Sequence, residues 1–270
     1  MESSRTTYIV FDIETIPDGK LLSEVLYPGQ EIPEEEAIAR QEKEALELSG
    51  GKSSFVPLAF HIPVAIAVAR VDGNFRLQKL ALLDEPEYRT ERMVELFWKG
   101  LDAYPDAVLV DFGGRTFDLP VLELAAFRFG LSVPSYFSSS VGRSYRRRFS
   151  EQHLDLLDWF TNFGASRLRG GLDLLAKLIR KPGKIQVRGE QVLQLWREGR
   201  KEVIGAYCLC DVLDTYFVFL RTRVLTGEIT LEDEKNLTDH AKQVIEEAAF
   251  ERPYLEPYLR HLKTSGEQEI

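Results

Sequence analysis

The chain opens mainly on strand-like apolar patterns and closes on helical ones. Residues 7–13, TYIVFDI, are β-branched and aromatic, and predict a buried first strand that ends at an acidic pair, Asp12 and Glu14. PVAIAVARVDG and FRLQKLALL predict two more strands, joined by a turn at Asp72, Gly73 and Asn74. Between the first strand and these two lies an acidic segment at about 30–50, where EEEAIARQEKEALEL forms helix readily but carries little apolar surface. It reads as a surface helix or mobile insertion closed by the breaker GGKSS. Pro86 to Tyr104 is helical, with Met93, Leu96, Phe97 and Leu101 on one stripe. AVLVDF, residues 107–112, predicts a short buried strand, and after Gly113 and Gly114 an apolar helix runs over 118–129 to stop at Gly130. A Ser- and Arg-rich loop is expected over 131–150, then a last strand or helix start at His153 to Leu157. Helices follow at about 171–180, 190–198, 200–225, 231–248 and 254–263. There is no internal repeat. A mixed sheet with helices packed on it is the expected architecture.

Length and composition narrow this modestly. A chain of 270 residues can build one substantial core, and 44% hydrophobic with 29% charged residues is ordinary for a globular protein. No apolar run reaches the ~18 residues of a membrane span, so no membrane partner is expected. The opening MESSRTTYIVFD has no secretory signal pattern, and a cytoplasmic location is the simplest expectation. Cys208 and Cys210 stand two apart in a helix and point to different faces, against a disulfide or a shared metal. A net charge of −9 argues against a sequence-independent duplex binder with a basic face. It leaves a nucleic-acid enzyme open, because acidic metal sites add negative charge while a local basic stretch holds phosphates. Arg143, Arg146, Arg147 and Arg148, with Tyr145 among them, form such a stretch; a solvated loop explains them equally well.

The chemistry lies in acids set inside apolar runs, where an uncompensated charge is costly. Asp12 and Glu14 are two apart on a strand and share a face, which raises a pKa unless a cation intervenes. Tyr207 and Asp211 are four apart on a helix and also share a face. Asp118 opens a helix after a glycine-bearing turn, near the positive end of the helix dipole. Three elements can thus aim oxygens at one cleft, and an all-oxygen set suits Mg²⁺ or Mn²⁺ better than zinc.

These segments resemble the Exo I, Exo II and Exo III motifs of the DEDD 3′–5′ exonuclease superfamily. The third reads Tyr-x-x-x-Asp, the DEDDy form shared with proofreading domains of family-B DNA polymerases. The resemblance is closest to the stand-alone bacterial predicted exonucleases related to those domains. FDIET, FDLPVL, HLDLLD, the stretch from GASRLRG to GLDLLAKL, and YCLCDVLDTY carry it over about residues 7–225. It implies an α/β, ribonuclease H-like fold: a central mixed five-stranded sheet flanked by helices, with a helical C-terminal part. One exonuclease domain is then expected over 1–270, its core at about 7–225 and a helical extension at about 226–270.

The resemblance also implies two divalent ions, Mg²⁺ or Mn²⁺, about 3.5–4 Å apart. Asp12 would bridge them, Glu14 and Asp211 would complete the first ion's shell, and Asp118 would hold the second through water. Tyr207 would orient the attacking water, since a phenol with a pKa near 10 is a poor base at neutral pH. The implied substrate is a single-stranded nucleic-acid 3′ end, DNA first, released as nucleoside 5′-monophosphates. With no polymerase segment recognised, any proofreading would be in trans, beside a polymerase or repair complex. An RNA 3′-end trimming nuclease is the alternative enzyme, and a non-catalytic nucleic-acid-binding protein on the same fold the alternative class. One departure stands out: Gly113 occupies the place, five before Asp118, where the family usually carries asparagine.

Around these five residues, Thr15 and Ile16 are expected to meet the terminal nucleotide, with Ile16 equally suited to the core. Phe117 can stack on a base or simply pack. Arg143, Arg146, Arg147, Arg148, Arg167, Arg169, Lys181 and Lys184 are candidates for phosphate contacts. His153 reads as a support of the site or a hydrogen-bond partner of Asp155. His61, His240 and His261 lack metal-ligand spacing and read as core or surface residues. Asp18, Asp111 and Asp214 read as capping, turn or surface residues.

Overall fold

The computed structural model describes residues 6–137, 144–183 and 189–265. Five strands form one mixed sheet in the order β3-β2-β1-β4-β5: β1 (Thr6–Pro17), β2 (His61–Asp72), β3 (Leu77–Leu82), β4 (Val108–Asp111) and β5 (His153–Asp155). The first three form an antiparallel meander, while β4 joins β1 and β5 joins β4 in parallel. This is a ribonuclease H-like α/β fold.

Both faces of the sheet are covered, which is why its strands read as near-continuous apolar runs. On β1 the side chains alternate between faces. Phe11 meets Phe97 of α3 (Thr90–Ala103) at 5.0 Å between ring centroids. Tyr8, on the other face, meets Phe219 of α9 (Lys201–Leu225) at 4.9 Å. Among the described helices α9 alone has the length and apolarity to cross a membrane, and 78% of that stretch is buried inside the fold. It is the central core helix, and the apolar pattern seen all round it is that of a helix enclosed on all sides.

The strand and helix expectations hold in order, with corrections at the edges. The first strand does not end at the acidic pair. It continues through Pro17, because Thr15, Ile16 and Pro17 pair with Pro63, Ile62 and His61 of β2. The acidic segment contains α2 (Glu34–Leu48), which is docked rather than loose. With α1 (Gly19–Leu26) it encloses a small core of Leu22, Ala37, Ile38 and Val56. Burying the three larger side chains contributes on the order of 5 kcal/mol, an upper estimate. That is enough to hold a helix whose outer face is mostly Glu, Lys and Arg.

Two short helices lie outside the sequence expectation, α1 and α5 (Pro134–Phe137), while α6 (Leu156–Thr161) begins within the strand or helix start expected at His153 to Leu157, directly after β5. Helices α4 (Asp118–Arg128), α7 (Gly171–Leu178) and α8 (Val192–Arg197) follow the predicted pattern. So do α10 (Leu231–Glu251) and α11 (Glu256–Ser265). A reciprocal capping box between Thr230 and Asp233 starts α10.

Candidate active site

β1 places Asp12 and Glu14 on the face covered by α9. Opposite them on β2 stand Ala67 and Ala65, whose small side chains let α9 approach closely. The helix turns Tyr207, Cys208 and Asp211 towards β1. The Cys208 thiol lies 3.2 Å from the Asp12 carbonyl oxygen and donates to it. One carboxylate oxygen from each of Asp12, Glu14 and Asp211 lies within 4.8 Å of the others. The Tyr207 hydroxyl bonds the Asp211 carboxylate. Three residues expected from strand and helix spacing are thus brought together, with the tyrosine against them.

Asp118 approaches from the other side. β4 pairs with β1 only from Tyr8 to Val10, so β1 runs on with that edge uncovered. Asp118 Oδ1 accepts from the Ile13 amide at 3.2 Å, between the two acids of β1. Its carboxyl is the strongest charged neighbour felt by Asp12, although it lies outside the tight trio.

The electrostatics follow from enclosure. Burial first, then the charges of Asp118, Glu14 and Asp211, push the Asp12 carboxyl well above the usual carboxylate range. Asp12 is half-buried as a residue, yet its Oδ2 is sealed from solvent and has no hydrogen-bond partner. Burial first, then Asp211, Glu14 and Asp12, raise the Tyr207 phenol far above its ordinary value, so it keeps its proton at neutral pH. Three carboxylates brought this close, one of them with a partnerless oxygen, are a donor set that a hard divalent cation fits. Asp12, Glu14 and Asp211 are the residues able to hold one, with Asp118 adjacent.

A second group of acids builds the turn that presents Asp118. Asp155 caps α6 and accepts from four amides: Gly113 at 2.8 Å, Arg115 at 3.1 Å, Leu157 at 2.9 Å and Asp158 at 3.2 Å. Asp111 accepts from the Gly114 amide at 3.1 Å and lies 2.6 Å from His153 Nε2. Gly113 has φ +85°, a left-handed conformation open to glycine at little cost, and a side chain on Gly114 would strike the Asp111 carboxylate. The glycine in place of the family asparagine is therefore part of a tightly tied turn. His153 pairs with Asp111 rather than with Asp155, and Asp111 ties the turn as expected, through the Gly114 amide, but is buried rather than at the surface. Asp214 is also fully buried, bound through Oδ1 to the Tyr258 hydroxyl at 2.7 Å and the Gly183 amide at 3.3 Å. Asp18 caps α1, as expected of its sequence context.

The cleft beside Glu14 has a volume of about 1510 Å³. Thr15, Phe55, His61 and Phe117 line one part of it, and Asp173 and Lys177 of α7 another. A bulge between Glu14 and Thr15 shifts the register just where the strand reaches the cleft. Ile16 is in the core, paired with Ile62. The expected basic residues are spread elsewhere. Arg146 pairs with Glu123 at 3.2 Å, and Arg148 stacks on Phe149 and Phe163. The Arg147 carbonyl accepts from Arg115 at 3.0 Å. None of these three arginines lines the cleft. Lys181 sits 4.7 Å over the Phe217 ring, where burial lowers its pKa to about 8. Arg167 and Arg169 are exposed. Arg143 and Lys184 lie outside the described residues.

Sequence reasoning missed Phe55 and the role of His61. Burial lowers the His61 pKa to about 4, so its ring is neutral. Its Nε2 is 3.2 Å from the Val56 carbonyl, which can only accept, so that nitrogen carries the hydrogen. Nδ1 then accepts from the Thr15 hydroxyl at 2.8 Å. No local spacing announces this, since Thr15 and His61 meet only through the β1–β2 pairing.

A ribonuclease H-like fold with clustered acids at one cleft defines a class of metal-dependent phosphodiester enzymes. The chain belongs to the family described as predicted 3′–5′ exonuclease related to the exonuclease domain of PolB, whose model matches residues 53–262. That family implies a nucleic-acid substrate. The matched span includes Asp118, Tyr207 and Asp211; Asp12 and Glu14 precede it, and the sheet brings them to the same cleft. The fold is similar to that of the family B DNA polymerase from the hyperthermophilic archaeon Pyrobaculum calidifontis. The TM-score is 0.51 at 14% identity, over 91% of this chain and 29% of the polymerase chain. No curated protein sequence matches the chain.

Proposed function

We propose that this protein is a metal-dependent 3′–5′ exonuclease that hydrolyses single-stranded nucleic acid, DNA first, to nucleoside 5′-monophosphates. The observation that carries the reading is the trio Asp12, Glu14 and Asp211, with oxygens within 4.8 Å and a sealed, partnerless oxygen on Asp12. Divalent ions held there, Mg²⁺ or Mn²⁺, would neutralise the phosphate, lower the pKa of the attacking water and stabilise the leaving 3′ oxygen.

The chain's own residues do the rest. Asp12, Glu14 and Asp211 provide the oxygens of the site, and Asp118 adds a fourth carboxylate from the start of α4. Tyr207 keeps its proton and positions the attacking water by hydrogen bonding. Thr15 and Phe117 line the cleft where the terminal nucleotide would enter. Repair or clean-up of nucleic-acid 3′ ends, beside a polymerase or repair complex, is the role this reading gives it.

The test is degradation of 3′-labelled and 5′-labelled single-stranded DNA and RNA with Mg²⁺ or Mn²⁺. A metal-dependent ladder that disappears in Asp12→Ala is expected, faster on DNA. Faster degradation of RNA would replace DNA by RNA in the reading. No release from either polymer with either metal would overturn it.

A further inference from the structure

We propose that Phe55, seated on His61, is a stacking subsite for an unpaired nucleobase of the bound strand. The inference rests on the exonuclease reading and adds to it a residue from outside the three acidic motifs.

Phe55 follows α2 and leads into β2, and it is 53% exposed. A large aromatic left so open in the wall of a cleft invites a partner. Its ring is not loose: it lies flat on the His61 ring, 4.7 Å between centroids and 19° between planes. Phe117 meets it edge-on at 5.8 Å and 62°. Beneath it, His61 is fixed by the Val56 carbonyl on one nitrogen and Thr15 on the other. One face of Phe55 is therefore covered and immobilised, while the ring remains open to the same cleft as Glu14 and Thr15. Such preorganisation lowers the entropy lost when a ligand binds.

The chemistry of the occupant follows from the surface. A flat, apolar ring face offers no hydrogen bonds, so it selects a π-surface rather than a base edge, and every nucleobase has one. Phe55 is joined through His61 to Thr15, and Thr15 adjoins the acidic pair along β1. A strand whose terminal phosphodiester lies at the acids therefore has unpaired bases within reach of this wall. A base paired in a duplex has its faces covered by neighbours, so the subsite favours single-stranded ends.

The experiment uses the full chain with single-stranded DNA carrying 2-aminopurine at each of the last three positions in turn. Binding is followed by fluorescence without metal, and hydrolysis with Mn²⁺. In wild type, stacking quenches the probe at one position. Phe55→Leu keeps an apolar side chain but removes the π-face. It is expected to lose that quenching, to weaken binding about 5- to 150-fold, and to raise KM while kcat stays near wild type. Phe55→Trp is expected to retain quenching and affinity. Equal affinity and quenching in wild type and Phe55→Leu would overturn the subsite, whatever the hydrolysis. Phe55-dependent quenching on a chain that hydrolyses neither polymer would overturn the exonuclease reading and leave the subsite standing.

Discussion

Two neighbouring groups of buried acids are accommodated in opposite ways. Asp155 has four backbone amides on its oxygens, and Asp111 has an amide and His153. Asp12 has an enclosed oxygen without a partner and three more acids around it. The first group sits at the ends of β4 and β5, where the 113–115 turn, the start of α6 and His153 supply donors. The second lies on the face of β1 that α9 covers, where β1's own amides run in the sheet plane and cannot turn to meet it. Acids that hold the fold have their charge matched locally; acids placed for chemistry have it left for a ligand.

Asp12→Asn puts the largest expected effect on this contrast. Several kcal/mol of transition-state stabilisation depend on the cation site, so nuclease activity should fall at least about 10³-fold. In chelator at neutral pH the same variant should melt at a higher temperature than wild type, because it removes a buried charge crowded by like charges. Activity assays paired with thermal melts check both signs. A variant less stable than wild type would mean that Asp12 is matched inside the protein after all, and the contrast would collapse.

Asp155→Ala should behave in the opposite way. It strands several amides of the 113–115 turn and of the α6 start, and charge-assisted bonds are worth about 1.5–3 kcal/mol each. Allowing for partial rescue by water, a loss of about 4 kcal/mol in denaturant unfolding is expected, with activity falling because Asp118 loses its frame. Asp155→Asn, which keeps an accepting oxygen, should recover part of the stability.

Why one group was readable in the sequence and the other was not follows from the range of their partners. Strand alternation puts Asp12 and Glu14 on one face, and helical spacing does the same for Tyr207 and Asp211, so local periodicity suffices. The sheet itself was legible because its strands are enclosed on both faces and read as apolar runs. Asp111 reads as a turn residue and does bind the Gly114 amide, but its pairing with His153, 42 positions away, arrives only through the parallel β4–β5 pairing. His61 looked featureless for the same reason, its contact with Thr15 being fixed by antiparallel register. α2 read as loose because its own face is weakly apolar; Leu22 and Val56, which complete its core, lie outside it.

Asp214 lies between the two extremes and sharpens the comparison. Its Oδ1 has two partners, yet its Oδ2 has none. Burial is the main cause that raises its pKa from 3.8 to about 7. A carboxyl whose pKa is higher folded than unfolded keeps its proton in the native state while the unfolded chain has lost it. Stability therefore falls as pH climbs from about 4 to about 7, then levels off. Asp214→Asn cannot ionise, so its stability relative to wild type should improve across that window by a few kcal/mol. Urea unfolding at pH 4, 5.5, 7 and 8 measures the slope. A flat difference would mean that Asp214 ionises freely and belongs with the matched acids.

Tyr207→Phe gives the smallest expected effect and asks whether the phenol belongs to the fold or to the chemistry. Its hydroxyl bonds Asp211, and burial with three acid neighbours holds the proton on it. A group in that state can donate but cannot serve as a base. Removing it should lower kcat about tenfold, the worth of one hydrogen bond in the transition state. Mn²⁺ affinity, read by titration against thermal stability, should stay close to wild type, because the four carboxylates remain. A general base would cost about 10²–10⁴-fold and would remove the acidic limb of the pH–rate profile. A loss of that size with a changed profile would place Tyr207 in the proton transfer itself. A parallel loss of metal affinity would instead make Tyr207 a structural partner of Asp211, and move that acid from the unmatched group to the matched one.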